Sequence, residues 1–194
     1  MYTAADLISF ETEVAQHFAA ASIKSPVHFS GGNELPLIKL FQEIKRTDYV
    51  CSTWRSHYHA LLHGIPRARL MADILAGHSM NLNYPDSRFL SSAIVGGTLP
   101  IACGLAAAGH RVWCFVGDMC ASLGAFYDAV HYASGHRLPV TFIVEDNGLS
   151  TNTPTQDTWG EVVCKNATWS KPIIRRYAYT RTYPHVGLEQ RVVF

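Results

Sequence analysis

"RVWCFVGDMCASLGAFYDAVHYASGHRLPVTFIVEDN", residues 111–147, is the stretch on which the reading of the fold turns. "RVWCFVG" is a short continuous apolar run, as expected of a strand buried on both faces. "ASLGAFYDAVHYASGH" follows with helical texture, and "PVTFIVEDN" is a second buried strand. Strand, helix and strand in that order predict a right-handed crossover, with the two strands parallel. If they are neighbours, about 5 Å apart, Asp118 and Asn147 both stand at carboxyl ends. That is the edge at which open α/β sheets bind ligands.

The flanking chain extends the same pattern. "KPIIRRYAYTRTY" (171–183) supplies a further strand, and "IVGGTLPIACGLAAAG" (94–109) reads as a helix packed closely on the sheet, buried on most sides, with Pro100 at a kink or near its first turn. "ILAGHSMNLNYPDSRFLSS" (74–92) has no period and is rich in Gly, Asn, Ser and Pro, which predicts a long loop. "ELPLIKLFQEIK" (34–45) and residues 3–22 read as helices, the latter with Leu7, Ile8, Phe10, Val14, Ala15 and Phe18 near helical spacing and Thr3 and Asp6 as capping candidates. The expected fold class is α/β, a mostly parallel sheet flanked by helices.

With 194 residues and 48% apolar content, the chain suffices for one well-packed core, so a single domain over 1–194 is expected. A formal charge of +1 without a basic run gives no footprint for nucleic acid or a membrane surface. A basic leader and an apolar stretch of roughly 20 residues are both lacking, so the expected location is cytoplasmic. Five cysteines without a CxxC pair read as reduced, buried thiols.

An Asp and an Asn converging at the sheet edge offer hard oxygens that suit magnesium held jointly with phosphates, and amides just after Asp118 favour a phosphate beside it. The same Asp also reads as a helix cap. No GxxxxGK[ST] or GxGxxG is present, which weighs against the common nucleotide-binding loops. His57, His59 and His63 lack a further ligand at zinc spacing. Ser91, Ser92 and Cys120 lie outside any serine-elbow or papain-like signature.

The run from Gly117 to Asn147 resembles the diphosphate and metal signature of thiamine-diphosphate enzymes: GDG, then an Asn pair some two dozen residues on. Here it is GDM, 26 residues, then Asp146-Asn147. "EDNGLSTNTPT", "SPVHFSGGNE", "DYVCSTWRSHYHALLHG", "GHSMNL", "RFLSSAIVGGTLPIACGLAAA" and "KPIIRRYAYTRTYPHVG" are similar, in order, to the alpha subunit of the decarboxylating first component of 2-oxo acid dehydrogenases. The resemblance runs from about residue 7 to 187. It implies thiamine diphosphate and Mg2+ as cofactors. Asp118, the Asn147 side chain and the Leu149 carbonyl would be metal ligands. Trp54 and Arg55 would contact the diphosphate, with Gly117, Met119 and Cys120 lining it, and main-chain groups of Ala93 and Val95 would hold the aminopyrimidine. His185 would be catalytic, assisting proton movement near the phosphates and the reaction centre.

The resemblance further implies a beta-type subunit that supplies the pyrimidine-binding module in a hetero-oligomer, a lipoyl-bearing acyltransferase as acceptor, and a small 2-oxo acid as substrate. A carboligase or transketolase-like subunit, and a non-catalytic assembly subunit, are the alternatives. Met119 replaces the glycine of GDG, Asn81 stands where the family has histidine, and Tyr58 replaces a glycine. A side chain at 119 is expected to crowd the diphosphate.

Overall fold

The computed structural model describes residues 2–160 and 173–189. The chain runs α1 (Ala4–Ala19), α2 (Glu34–Phe41), β1 (Tyr49–Thr53), α3 (His57–His63), α4 (Arg67–Leu75), β2 (Asn83–Tyr84), β3 (Phe89–Ser92), α5 (Thr98–Ala107), β4 (Val112–Gly117), α6 (Gly124–Gly135), β5 (Val140–Asp146), β6 (Leu149–Ser150), β7 (Thr153–Pro154), α7 (Thr155–Trp159) and β8 (Ile174–Ala178). The main sheet has the order β2-β3-β1-β4-β5-β8. Its strands are parallel except β2, which pairs antiparallel with β3. A short β6–β7 hairpin stands apart from it.

β4 and β5 pair in the expected parallel sense, from Val112↔Val140 to Gly117↔Glu145. Their continuous apolar character follows from burial on both faces. Trp113, Phe115 and Ile143 face a core built with α1 to α4. Val112, Cys114, Val116, Val140, Phe142 and Val144 face a second core under α5 and α6. Each fully buried side chain of this size contributes about 1.5–3 kcal/mol relative to exposure.

α1 begins where expected, with Thr3 and Asp6 forming a reciprocal capping box. α5 carries Pro100 in its first turn, but Pro100, Ile101, Gly104, Ala107 and Ala108 are exposed. The expectation of burial on most sides is therefore corrected to one buried face. The span 74–92 is also not one long loop: it opens on the end of α4 and contains β2 and β3, and β3 pairs along its full length with β1. "FLSS" carries no β-branched run, so this strand is held by its place between β2 and β1 rather than by propensity. Residues 171 and 172 of the last expected strand lie outside the described residues.

β1 is followed in the sheet by β3 on one side, and the chain then crosses to β4 on the other side of β1. The carboxyl ends of β1 and β4 thus flank a topological switch point, where such sheets open a crevice.

Behind that crevice a buried relay ties α1 to the rest. Glu11 is fully buried and accepts hydrogen bonds from the Ser30 amide and from Nδ1 of His57, the latter at 2.8 Å. Nε2 of His57 meets the Ser79 hydroxyl at 2.9 Å. Replacing Glu11 strands two buried donors at once. Glu11→Ala is expected to cost about 3 kcal/mol of unfolding free energy in urea denaturation. A loss under about 0.5 kcal/mol would mean that the relay does not hold α1.

Candidate functional site

The carboxyl edge of the sheet bounds an open cleft of about 900 Å³. Four strand ends contribute to it. Trp54 and Arg55 follow β1, Ile94 and Val95 follow β3, Gly117 ends β4 with Asp118 to Cys120 after it, and Glu145 lies near the end of β5 with Asn147 just beyond. Leu149 of the small hairpin, and Tyr179, Arg181 and His185 beyond β8, complete the wall. Of the eleven residues singled out from sequence, ten border this cleft: Trp54, Arg55, Val95, Gly117, Asp118, Met119, Cys120, Asn147, Leu149 and His185. Ala93 does not, and its N–H is already donated to Oδ1 of Asn81 at 2.8 Å.

Asp118 is only 5% exposed, and its Oδ2 is buried without a hydrogen-bond partner. Burial, followed by the nearby Asp146 carboxylate, pushes its pKa up to about 6, while a hydrogen bond from Thr155 pulls the other way. Asn147 donates through Nδ2 to the Tyr179 hydroxyl at 3.1 Å, and its Oδ1 accepts the Leu149 amide at 2.9 Å, closing a local turn. One lone pair of that Oδ1 is left over. Leu149 and Pro154 form a non-hydrogen-bonded pair beside the Thr155 amide to Gly148 carbonyl bond, so the Leu149 carbonyl points away from β7.

The orphaned carboxylate oxygen and two oxygen acceptors with spare capacity fit a hard divalent cation. Only one carboxylate is in the set, which suits a cation sharing its coordination with phosphate oxygens. Among the described residues no group of three or more His, Cys, Asp and Glu gathers as a metal cage.

The other candidates have separate duties. His57 is spent on Glu11 and Ser79, His59 donates toward Oε1 of Glu145 at 3.2 Å, and burial pushes His63 down to about 4. Ser91 is buried between the Leu82 amide and the Met80 carbonyl. Burial pushes the Cys120 thiol up to about 11, which leaves little thiolate at neutral pH.

Arg55 is buried, donating to the Phe29 carbonyl at 2.7 Å and to the His185 carbonyl at 3.1 Å. Burial, then the charges of Arg55 and Arg181, lower the pKa of His185, so its imidazole is neutral at pH 7 and able to accept a proton. Met119 receives a hydrogen bond on its sulfur from the Trp159 indole, which docks α7 beside the cleft.

Sequence reasoning missed Glu145, a buried carboxylate held by Asn33, His59 and Tyr177. Its position beside Asp146-Asn147 was the only local signal. Its partners come from residues 33, 59 and 177, which no spacing rule connects. Tyr179 and Arg181 were missed for the same reason.

Residues 2–169 match the family model described as dehydrogenase E1 component. The chain is 29% identical over 165 residues to the alpha subunit of acetoin:2,6-dichlorophenolindophenol oxidoreductase of Bacillus subtilis, covering 77% of this chain and 50% of that one. It is 29% identical over 164 residues to the pyruvate dehydrogenase E1 component subunit alpha of Porphyra purpurea, covering 72% and 47%. For the protein of the same description in Rickettsia prowazekii the figures are 28% over 160 residues, covering 74% and 49%. The chain thus spans about half the length of these relatives.

A raised carboxyl pKa makes the folded state bind more protons than the unfolded one between pH 3.8 and about 6. Stability therefore falls as pH rises through that window, and the penalty is complete above it. Asp118→Asn removes the penalty. It is expected to unfold about 1–3 kcal/mol harder than the parent at pH 7.5, with no gain below pH 4. Equal urea midpoints at both pH values would show that Asp118 is not a strained carboxylate.

Proposed function

Because the chain belongs to the dehydrogenase E1 component family, we propose that its cleft binds thiamine diphosphate with Mg2+, as the alpha-type half of a 2-oxo acid dehydrogenase. The observation that carries this is the unpartnered buried oxygen of Asp118, which lines the same cleft as Asn147 at the carboxyl ends of β4 and β5. Asp118, the Asn147 amide oxygen and the Leu149 carbonyl would hold the metal. Main-chain groups of Gly117, Met119 and Cys120 would line the diphosphate. When bound, the cofactor supplies the electron sink for cleaving the bond between a carbonyl carbon and its carboxylate.

This chain's own residues bind and orient. The Trp54 ring walls one side, and the positive charges of Arg55 and Arg181 favour an anion in the cleft. Neutral His185 can take up or return a proton at the reaction centre. Ile94 and Val95 are 73% and 49% exposed beside the cleft. That apolar rim suits a beta-type subunit bearing the pyrimidine-binding module, and a lipoyl-bearing acyltransferase would collect the acyl group. The proposed location is cytoplasmic. A second reading, cleavage of a 2-hydroxy ketone, draws on the acetoin:2,6-dichlorophenolindophenol oxidoreductase alpha subunit of Bacillus subtilis among the relatives.

Titration calorimetry of the chain with thiamine diphosphate is expected to give binding that depends on magnesium. Asp118→Ala should weaken it by about 2 kcal/mol or more through lost coordination. Equal affinity with and without the metal would sink the metal assignment. Coexpression with a beta-type chain, followed by carbon dioxide release from a panel of 2-oxo acids, tests the reaction. Turnover of acetoin without carbon dioxide release would move the conclusion to the second reading.

A further inference from the structure

Asn147 borders the cleft with a side chain whose terminal torsion is soft, since the amide plane of an asparagine turns in a broad well. Its oxygen serves a metal well only where that plane is held. Two contacts hold it: Oδ1 accepts the Leu149 amide at 2.9 Å, and Nδ2 donates to the Tyr179 hydroxyl at 3.1 Å. The Leu149 amide decides which end is which, because an NH2 group in the place of Oδ1 would set donor against donor. The Tyr179 oxygen is then obliged to accept. A single bond at Oδ1 would leave the amide free to swing about that contact, whereas the pair fixes the plane and with it the second lone pair of Oδ1.

Tyr179 is itself well anchored. It stands immediately after β8, and its amide donates to the carbonyl of Asp146, the neighbour of Asn147, at 2.8 Å. Its ring lies 6.0 Å between centroids from that of Tyr177, whose hydroxyl donates to Glu145. The Gly32 backbone, at φ +89°, approaches so closely that a Cβ there would stand 3.5 Å from Cδ2 of Tyr179 and 1.9 Å from the Thr180 carbonyl oxygen. Further along, the His185 carbonyl accepts from Nη2 of Arg55 at 3.1 Å and from Nδ1 of His28 at 2.7 Å, and the Gly187 amide donates to the Val27 carbonyl at 2.8 Å. The segment beyond β8 is thus pinned on both sides of the cleft wall it forms, although it has no regular structure.

We infer that Tyr179 is a positioning residue for the metal site, its hydroxyl holding the Asn147 amide so that Oδ1 stands ready as a ligand. The functional meaning of the inference rests on the cofactor reading above. Its structural content, an asparagine amide fixed from the next strand, belongs to the ligand-free chain.

The test is Tyr179→Phe, which removes one oxygen and keeps both the ring and the main-chain bond to Asp146, so the variant is expected to fold with the circular dichroism spectrum of the parent. In NMR of the ligand-free chain, the Asn147 side-chain amide signals are identified by their loss in Asn147→Ala. In Tyr179→Phe they should shift and exchange faster with water, while those of Asn83, exposed on β2, stay in place. Calorimetry with inorganic pyrophosphate and magnesium then reads the metal site. Tyr179→Phe should weaken binding about three- to tenfold, the range of one neutral hydrogen bond. In the Asn147→Ala background the same change should alter binding less than about 1.5-fold, because the amide it holds is gone.

On the parent protein, which needs no variant to fold, nuclear Overhauser contacts between the Asn147 side-chain amide and the Tyr179 ring should persist at saturating magnesium pyrophosphate. Their disappearance on binding, unmoved Asn147 signals in Tyr179→Phe, or equal losses of affinity in the two backgrounds would each overturn the inference. Failure of the parent to bind pyrophosphate or thiamine diphosphate would count against the cofactor reading, and the holding of Asn147 by Tyr179 would still be decided by the signals of the ligand-free chain.

Discussion

The parallel register of β4 and β5 is the constraint from which the rest of this molecule follows. Six paired positions, Val112↔Val140 through Gly117↔Glu145, lock the two strands so that both end at the same level. Side chains alternate across the sheet, so a one-residue slip would turn Trp113, Phe115 and Ile143 away from the first core and Val116 and Val144 away from the second. Burial on both faces makes that slip prohibitive. The carboxyl edge where Asp118 and Asn147 emerge is thereby set by apolar packing several residues away.

What emerges at that edge is costly in isolation. Asp118 and Glu145 are buried carboxylates, 5% and 6% exposed, and Arg55 is a buried guanidinium at 9%. The structure satisfies them unequally. Glu145 collects donors from Asn33, His59 and Tyr177, and Arg55 donates to two carbonyls. Asp118 keeps one oxygen without a partner. An unequal arrangement of this kind is expected where stability has been given up for binding, since a ligand that completes the coordination recovers the loss. The cleft is thus rigid in its polar floor and unsatisfied at one point.

Of the three departures from the resemblance, Tyr58 is buried in the first core, while Met119 and Asn81 make contacts at the cleft edge. Met119 does not merely add bulk beside the phosphate-lining amides, because its sulfur accepts the Trp159 indole N–H and ties α7 to the cleft. Asn81 caps the Ala93 amide, so this main-chain donor is spent inside the chain. In both cases the residue makes an internal contact within this chain.

The sequence alone determined the strand–helix–strand unit, its parallel sense and the placing of Asp118 and Asn147 at the carboxyl ends of its strands, because continuous apolar runs and helical spacing are local signals that survive without neighbours. It also carried the family resemblance, since ordered short motifs preserve main-chain positions even where side chains differ. It did not reveal β3, whose "FLSS" has no β-branched residue and which pairs with β1 and β2. Nor did it reveal the Glu145 network or the double hydrogen bond on the His185 carbonyl. Tyr177, His59 and Asn33 lie 32, 86 and 112 residues from Glu145, and the two donors to the His185 carbonyl lie 130 and 157 residues from it. Contacts across such separations are decided by how the layers pack, and a buried polar group reports its partner only after the chain has closed around it.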